Sequence, residues 1–389
     1  MLPENDQFTP IISRFLRIES TTWGDNKKGE VVRYTGQLYN QDSSTSYDQL
    51  AEALRPSMVT PLFRTASGRH LIILMNGIIQ PKPTSIWPNI LFFALTLLSV
   101  MYVGGLNSAT AMPATLNDWV QFMLGGLPFA LALLVILVCH EFGHYLAGRY
   151  HKTAVTLPLF IPFPFGYFGT MGAFIQLKEP PKNRRILLDI GIAGPLAGLI
   201  VAIPVLLYGL ITSPVGRMPV QFPLGQVFEG NSILYLLLKF ITKGLLLPQP
   251  ATFGGVPPLL YWIRYIFTSS PLPAGGIDVN LNPIAWAGWI GLFVTSLNLV
   301  PAGQLDGGHL VYVLLGKYTN RLLPFILLGL ILLGFVWNGW WLWAALIFLL
   351  GRYHAEPLDQ ITPLDPKRRM LAMLGVIIFF LVFMPVPLV

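Results

Sequence analysis

His140-Glu141-Phe142-Gly143-His144 closes a long apolar run. On a helix, histidines four residues apart share one face, about 6 Å from each other, and can reach one Zn2+ together. The glutamate between them points beside the metal, where its carboxylate can take a proton from a bound water. The alternative is a chance match on an interfacial helix. Against it, the motif uses two of only six histidines, and no charged residue lies between Asp118 and His140. An acid inside an apolar segment is costly, so each one is a functional candidate.

A catalytic zinc takes a third protein ligand and keeps an open position. His309, Asp306, Asp189, His151 and His354 are the candidates. Asp306 stands out, in Asn298-Leu299-Val300-Pro301-Ala302-Gly303-Gln304-Leu305-Asp306-Gly307-Gly308-His309, directly after an apolar span. Pro301 and Gly303 break the helix there, and broken backbone at membrane depth is tolerated where it is buried in protein or lines a polar cavity. Asp306 as a helix N-cap is the competing reading. Asn298 is the candidate amide for orienting substrate or stabilising an oxyanion, against a plain helix-packing hydrogen bond. Asp189 follows Arg185 by one turn, which suggests an i,i+4 ion pair. His70, His151 and His354 read as surface residues, and Cys139 as a small buried hydrophobe.

These residues must be carried by a membrane framework. Of 389 residues, 53% are apolar and only 11% charged, against roughly 25% charged in ordinary globular chains. Mean hydropathy is +0.60. A soluble enzyme, a disordered chain and a coiled coil are excluded. The net charge of +7 is scattered between apolar runs, the pattern of topology-setting charges and not of a nucleic-acid face. One cysteine excludes an intrachain disulfide framework and a Cys-rich zinc site. The polar start, Met1-Leu2-Pro3-Glu4-Asn5-Asp6, predicts no cleaved signal peptide.

The sequence divides into residues 1–85, a small soluble α+β domain, and residues 86–389, a transmembrane domain. In the first, strands are expected at Val31–Leu38, Thr60–Thr65 and His70–Met75, a helix at Ser43–Pro56, and a mobile tail over the first 25 residues. In the second, spans are expected at 86–104, 121–147, 186–210, 283–302, 321–336, 338–351 and 370–388, about seven. The stretches 231–248 and 257–268 form interfacial helices or one more span. The prolines of Thr153–Lys178 rule out a straight spanning helix and predict a membrane-associated β-hairpin or re-entrant loop, whose free edge can accept an unwound strand. Its competing reading is a plain interfacial loop. Gly194 and Gly198 let helices pack closely. Lys and Arg cluster in 148–185, 317–321 and 352–369. Alternating spans place these with the N-terminal domain on the cytoplasmic side.

Taken together, His140-Glu141-Phe142-Gly143-His144 and the later Asn298, Pro301, Leu305, Asp306 and Gly307 resemble the two hallmarks of the site-2 protease family of intramembrane zinc metalloproteases. The resemblance covers about residues 86–389. It implies that His140, His144 and Asp306 bind Zn2+ and that Glu141 is the general base. Gly169-Thr170-Met171-Gly172-Ala173 resembles a family element, which favours the substrate-edge reading of the hairpin. The N-terminal segment and Trp286–Asn298 are most similar to the plastid and cyanobacterial branch, which has no inserted PDZ domain; 211–282 is too apolar and proline-rich to be one.

The expected protein is therefore a multi-pass α-helical membrane protein of seven or eight spans with a small N-terminal α+β domain. Its expected activity is zinc-dependent cleavage of transmembrane protein substrates near the cytoplasmic face, with Glu141 and Asn298 as catalytic residues. Its partners would be those substrates and the lipid bilayer, with no nucleic acid. A bacterial inner membrane is the expected location, a plastid membrane the other possibility. The rival readings are a metal-ion transporter, which needs ligands along a pathway, and an inactive membrane scaffold, against which the intact motif counts.

Overall fold

The computed structural model describes residues 7–389 except 26, 28, 41, 110, 222–226 and 351–355. The N-terminal part begins with a helical turn, α1 (Thr9–Ile12), and strands β1 (Leu16–Trp23) and β2 (Glu30–Leu38). Helix α2 (Ser43–Leu54) and strands β3 (Val59–Ala66) and β4 (Arg69–Asn76) follow. The strands form one antiparallel sheet in the order β1-β2-β4-β3. Tyr47, Leu50 and Leu54 of α2 are buried, in one core with Phe63, Ile72 and Leu74 of the sheet. The three expected strands and the helix are present, within two residues of their expected ends. The expected tail is corrected: residues 16–23 are an edge strand. Among β1 side chains only Leu16 is buried, so its sequence carries little of the alternation that marks a half-buried strand.

Helices α3 (Trp87–Ser108), α4 (Leu116–Gly125), α5 (Leu127–Tyr150) and α6 (Arg184–Thr212) form the first part of the apolar domain. The span expected at 121–147 is divided between α4 and α5. Pro128 opens α5, and Gly126 lies so close to α3 that a Cβ there would stand 2.0 Å from the Met101 carbonyl oxygen. Between α5 and α6, β5 (Leu159–Phe163) and β6 (Gly169–Phe174) pair antiparallel. The segment is thus a β-hairpin, fastened to α3 by Ser99 Oγ donating to the Gly169 carbonyl (2.6 Å) and Asn89 Nδ2 to that of Pro158 (2.8 Å).

After α6 come a short strand β7 (Val215–Arg217), helices α7 (Ile233–Lys243) and α8 (Pro258–Thr268), and strand β8 (Ile277–Val279), which pairs with β7. Then follow α9 (Pro283–Asn298), α10 (Asp306–Leu315), α11 (Leu323–Gly334), α12 (Gly339–Leu350) and α13 (Pro366–Val382). Phe228 and Val389 exchange backbone hydrogen bonds (3.0 and 3.1 Å), which holds the last residues against the 228–230 segment.

Three helices among the described residues, α3, α5 and α6, are long and apolar enough to cross a membrane. A fourth crossing results if α10 and Tyr318–Gly334, bent by 115°, are taken together. By length and apolarity, three or four of the seven or eight spans expected are matched among the described residues. At 11 residues each, α7 and α8 rise about 16 Å, too little for about 30 Å of hydrocarbon. The outward side chains of the long helices, such as Leu131, Leu146 and Ile200, are apolar and exposed, a surface suited to lipid.

Candidate metal centre

The motif helix α5 buries His140, Glu141 and His144 in its last turns. Both imidazoles face α6, which can approach because residues 194 and 198 are glycine. A Cβ at Gly194 would stand 2.0 Å from His144 Nε2, and one at Gly198 would stand 3.1 Å from His140 Nδ1. The close-packing pair expected there is therefore packed on the histidines themselves.

Asp306 arrives from the other side. Helix α9 ends at Asn298, and the chain turns through Pro301 and Gly303 before α10 begins. Leu305 occupies the N-cap position and Asp306 is the first helical residue. Its carboxylate is not spent on capping but points at both histidines. Asp306 Oδ2 lies 3.4 Å from His140 Nε2 and 3.3 Å from His144 Nε2, and the two Nε2 atoms are 3.2 Å apart. Tetrahedral zinc with bonds of about 2.0–2.1 Å sets its ligand atoms about 3.3 Å apart. The triangle fits that ion. Two imidazole nitrogens and a carboxylate are also a donor set of the borderline character that zinc favours.

The orientation of His144 is fixed from behind. Its Nδ1 lies 2.7 Å from the Ile190 carbonyl of α6. A carbonyl only accepts, so Nδ1 carries the proton and Nε2 presents its lone pair forward. A cavity of about 170 Å³ opens in front of the triangle, with Glu141, Ala173, Phe174, Asn298 and His309 among its lining. A zinc held by the three side chains would face this cavity, which has room for a peptide group. The Asn298 amide nitrogen is 3.1 Å from His140 Nε2, so the structure brings this residue to the centre.

Among the described residues, His140, His144 and Asp306 are the group whose ligand atoms lie within 4.8 Å of one another. His309 lines the cavity outside that group. His354 lies outside the described residues. The ion pair expected between Asp189 and Arg185 is not formed. Asp189 instead receives Arg368 of α13 (Nη2, 2.6 Å) and His151 (2.9 Å), while Arg185 donates to the Pro363 carbonyl. His151 is thus no plain surface residue. His70 accepts the Leu38 amide across the sheet (3.0 Å).

Sequence reasoning missed a second buried cluster at the other end of the apolar domain. Lys239, almost fully buried on α7, pairs with Asp278 of β8. Tyr235 donates to Glu229 Oε1 (2.8 Å), and burial pushes the Glu229 carboxyl up to about 7. Glu229 and Asp278 line a cavity of about 520 Å³ that reaches Phe129 of α5, 11 residues and about 16 Å of helix rise from His140. Lys239 lies in the stretch 231–248, expected as an interfacial helix or part of one more span. The only sequence signal was that 229, 239 and 278 are charged residues in an otherwise apolar region.

Fold and centre together define a membrane-type zinc metallopeptidase architecture. Peptidase family M50 matches residues 128–333, and the chain belongs to that family. It is 29% identical over 342 residues to "Probable zinc metalloprotease EGY1, chloroplastic" of Oryza sativa subsp. japonica, covering 81% of this chain and 53% of the relative. To the protein of the same name from Arabidopsis thaliana it is 28% identical over 339 residues (81% and 56%). To "Probable zinc metalloprotease EGY2, chloroplastic" of Arabidopsis thaliana it is 26% identical over 320 residues (81% and 52%). The chain spans about half the length of these curated relatives.

Proposed function

We propose that this chain is an intramembrane zinc endopeptidase that cuts transmembrane protein substrates near the cytoplasmic face. The observation that carries the reading is the buried triangle of His140, His144 and Asp306, with Glu141 buried beside it and an open cavity in front. A transporter needs successive ligand sets along a path, and the described residues hold one such group. In this reading the basic connections around Arg149, Lys178 and Lys182 face the cytoplasm together with the N-terminal domain. Helices α9 and α13 complete the crossings, and the setting is a bacterial inner membrane. The relatives named above are chloroplastic proteins.

Bound zinc supplies Lewis acidity toward a carbonyl and a water at neutral pH. The rest falls to the chain. Glu141 takes the proton as water adds to the scissile carbonyl, then returns it to the leaving amine as the C–N bond breaks. Asn298 donates its amide N–H to the oxygen on which negative charge develops. Ala173 and Phe174 line the same cavity from β6, so an unwound substrate segment paired along that strand would present its backbone to Glu141.

The test compares wild type with Glu141→Gln on a panel of single-span substrates in liposomes, with zinc measured on both. About one zinc on each protein is expected, with cleavage lower by about 10²–10⁴-fold in the variant. A folded wild type without zinc, or a variant that cleaves at the wild-type rate, overturns the reading.

A further inference from the structure

Residues 356–365, leading into α13, form a strap between the N-terminal sheet and α6. On one side the strap joins the free edge of β3. The Phe63 amide donates to the Leu358 carbonyl (2.9 Å), and the Gln360 amide donates to the Phe63 carbonyl (3.0 Å). On the other side the Leu358 amide donates to the Pro181 carbonyl (3.1 Å), and the Asp359 amide donates to that of Lys182 (2.7 Å). Asp359 therefore sits between the sheet and the start of α6, and it is 1% exposed. Its carboxylate holds the strap in shape. Oδ1 accepts the amides of Ile361 (2.8 Å) and Thr362 (3.1 Å), and Oδ2 accepts the Thr362 hydroxyl. That hydroxyl also meets Ser43 Oγ of α2 at 2.8 Å.

The next residue along is Asn183. It caps α6 by accepting the Ile186 amide (3.1 Å) and donates to Ser44 of α2 (3.3 Å). Seven residues beyond Asn183, about 10 Å up the helix, the Ile190 carbonyl receives His144 Nδ1. One turn further, Gly194 lies against the same imidazole with no spare room. A small slide or roll of α6 would break the first contact and close the second on the ring.

We propose that the strap, through Asp359, is a positioning element for the metal centre: the N-terminal domain fixes the register of α6, and α6 fixes His144. Asp359 touches neither substrate nor ligand and acts only through α6. The inference rests on the reading of His140, His144 and Asp306 as a zinc site. It gives the N-terminal domain a role inside the enzyme's own architecture.

The experiment uses the full chain in detergent as wild type, Asp359→Ala, Asp359→Asn and Thr362→Val. Zinc affinity is measured by chelator competition, and the ligand field by the visible absorption of the Co2+-loaded protein. Outer contacts of metal ligands typically change affinity by 10–100-fold, and Asp359→Ala should fall near the low end, at about tenfold weaker, with an altered cobalt spectrum. Asp359→Asn keeps an acceptor for the two amides and should stay close to wild type. Thr362→Val, which removes one hydroxyl, should weaken zinc by about threefold. If Asp359→Ala does not accumulate as folded protein, Thr362→Val decides. Wild-type affinity and spectrum in the folded variants overturn the inference while leaving the zinc site intact. A folded wild type that binds no zinc overturns the site and this inference with it.

Discussion

Two buried clusters of charge stand at opposite ends of the apolar domain, and they are built on different plans. Around Glu229, Asp278 and Tyr235 the counter-ion is part of the chain: Lys239 pairs with Asp278, and the Tyr235 hydroxyl serves Glu229. Around His140, His144, Glu141 and Asp306 there is none. Among the described residues no Lys or Arg pairs with Glu141 or Asp306. Burying carboxylates without a compensating cation is costly. The first cluster is neutralised from within and reads as structure. The second has no Lys or Arg among the described residues, so its positive charge comes from protons on its imidazoles or from a bound cation, and its triangle has the size for zinc. The missing positive charge, more than the presence of acids, separates a metal site from a structural ion pair.

The largest effect expected from this contrast is at the self-contained cluster. Lys239→Met leaves Asp278 buried and unpaired and should cost about 3–5 kcal/mol of stability, read as a drop in the denaturation midpoint, with zinc stoichiometry unchanged in the folded fraction. A smaller effect belongs to the metal end. Gly194→Ala places a methyl against the His144 ring and should weaken zinc about 10–100-fold, as other displacements of ligand orientation do, with chelator competition as the measurement. If Lys239→Met lost zinc as readily as Gly194→Ala, the two clusters would not be independent and the contrast would fail. The smallest effect is a pH dependence. Burial raises Glu229 from an ordinary glutamate value to about 7, so the folded chain holds a proton there that the unfolded chain releases. Its stabilising contribution is full below about 4.5 and is lost as pH rises through about 7. Thermal denaturation across that window should flatten in Glu229→Gln.

The metal end was largely legible in the sequence, because helical spacing alone puts His140 and His144 on one face and a broken helix brings Asp306 after Asn298. The contacts that hold the site were less so. Ile190 contributes a backbone carbonyl, which any residue carries. Asp189 was read against Arg185 on its own helix, but its partner Arg368 is 179 positions away. The strap at 356–362 pairs through backbone with two distant segments, and nothing in its composition marks it as a strand. The strand at 16–23 was missed because an exposed edge strand needs few apolar side chains. Span counting met its limit at helices of 10–17 residues: α9 is buried in protein while α11, α12 and α13 keep many apolar side chains exposed, and an apolar run of that length reads the same in both cases.

Under the proposed function, the placement of the histidines along α5 has a consequence for what would become of the products. His144 stands six residues, about 9 Å, from one end of that helix, and His140 thirteen residues, about 20 Å, from the other. A chain cut at that level would yield two unequal stubs. The shorter would keep only a few apolar side chains in hydrocarbon, and retention in lipid falls by about 0.8 kcal/mol for each methylene no longer buried. It would drift into water while the longer stub stayed anchored. Once the two new ends occupy different phases they no longer meet, so under the proposed function an off-centre cut would help keep the cleavage from reversing.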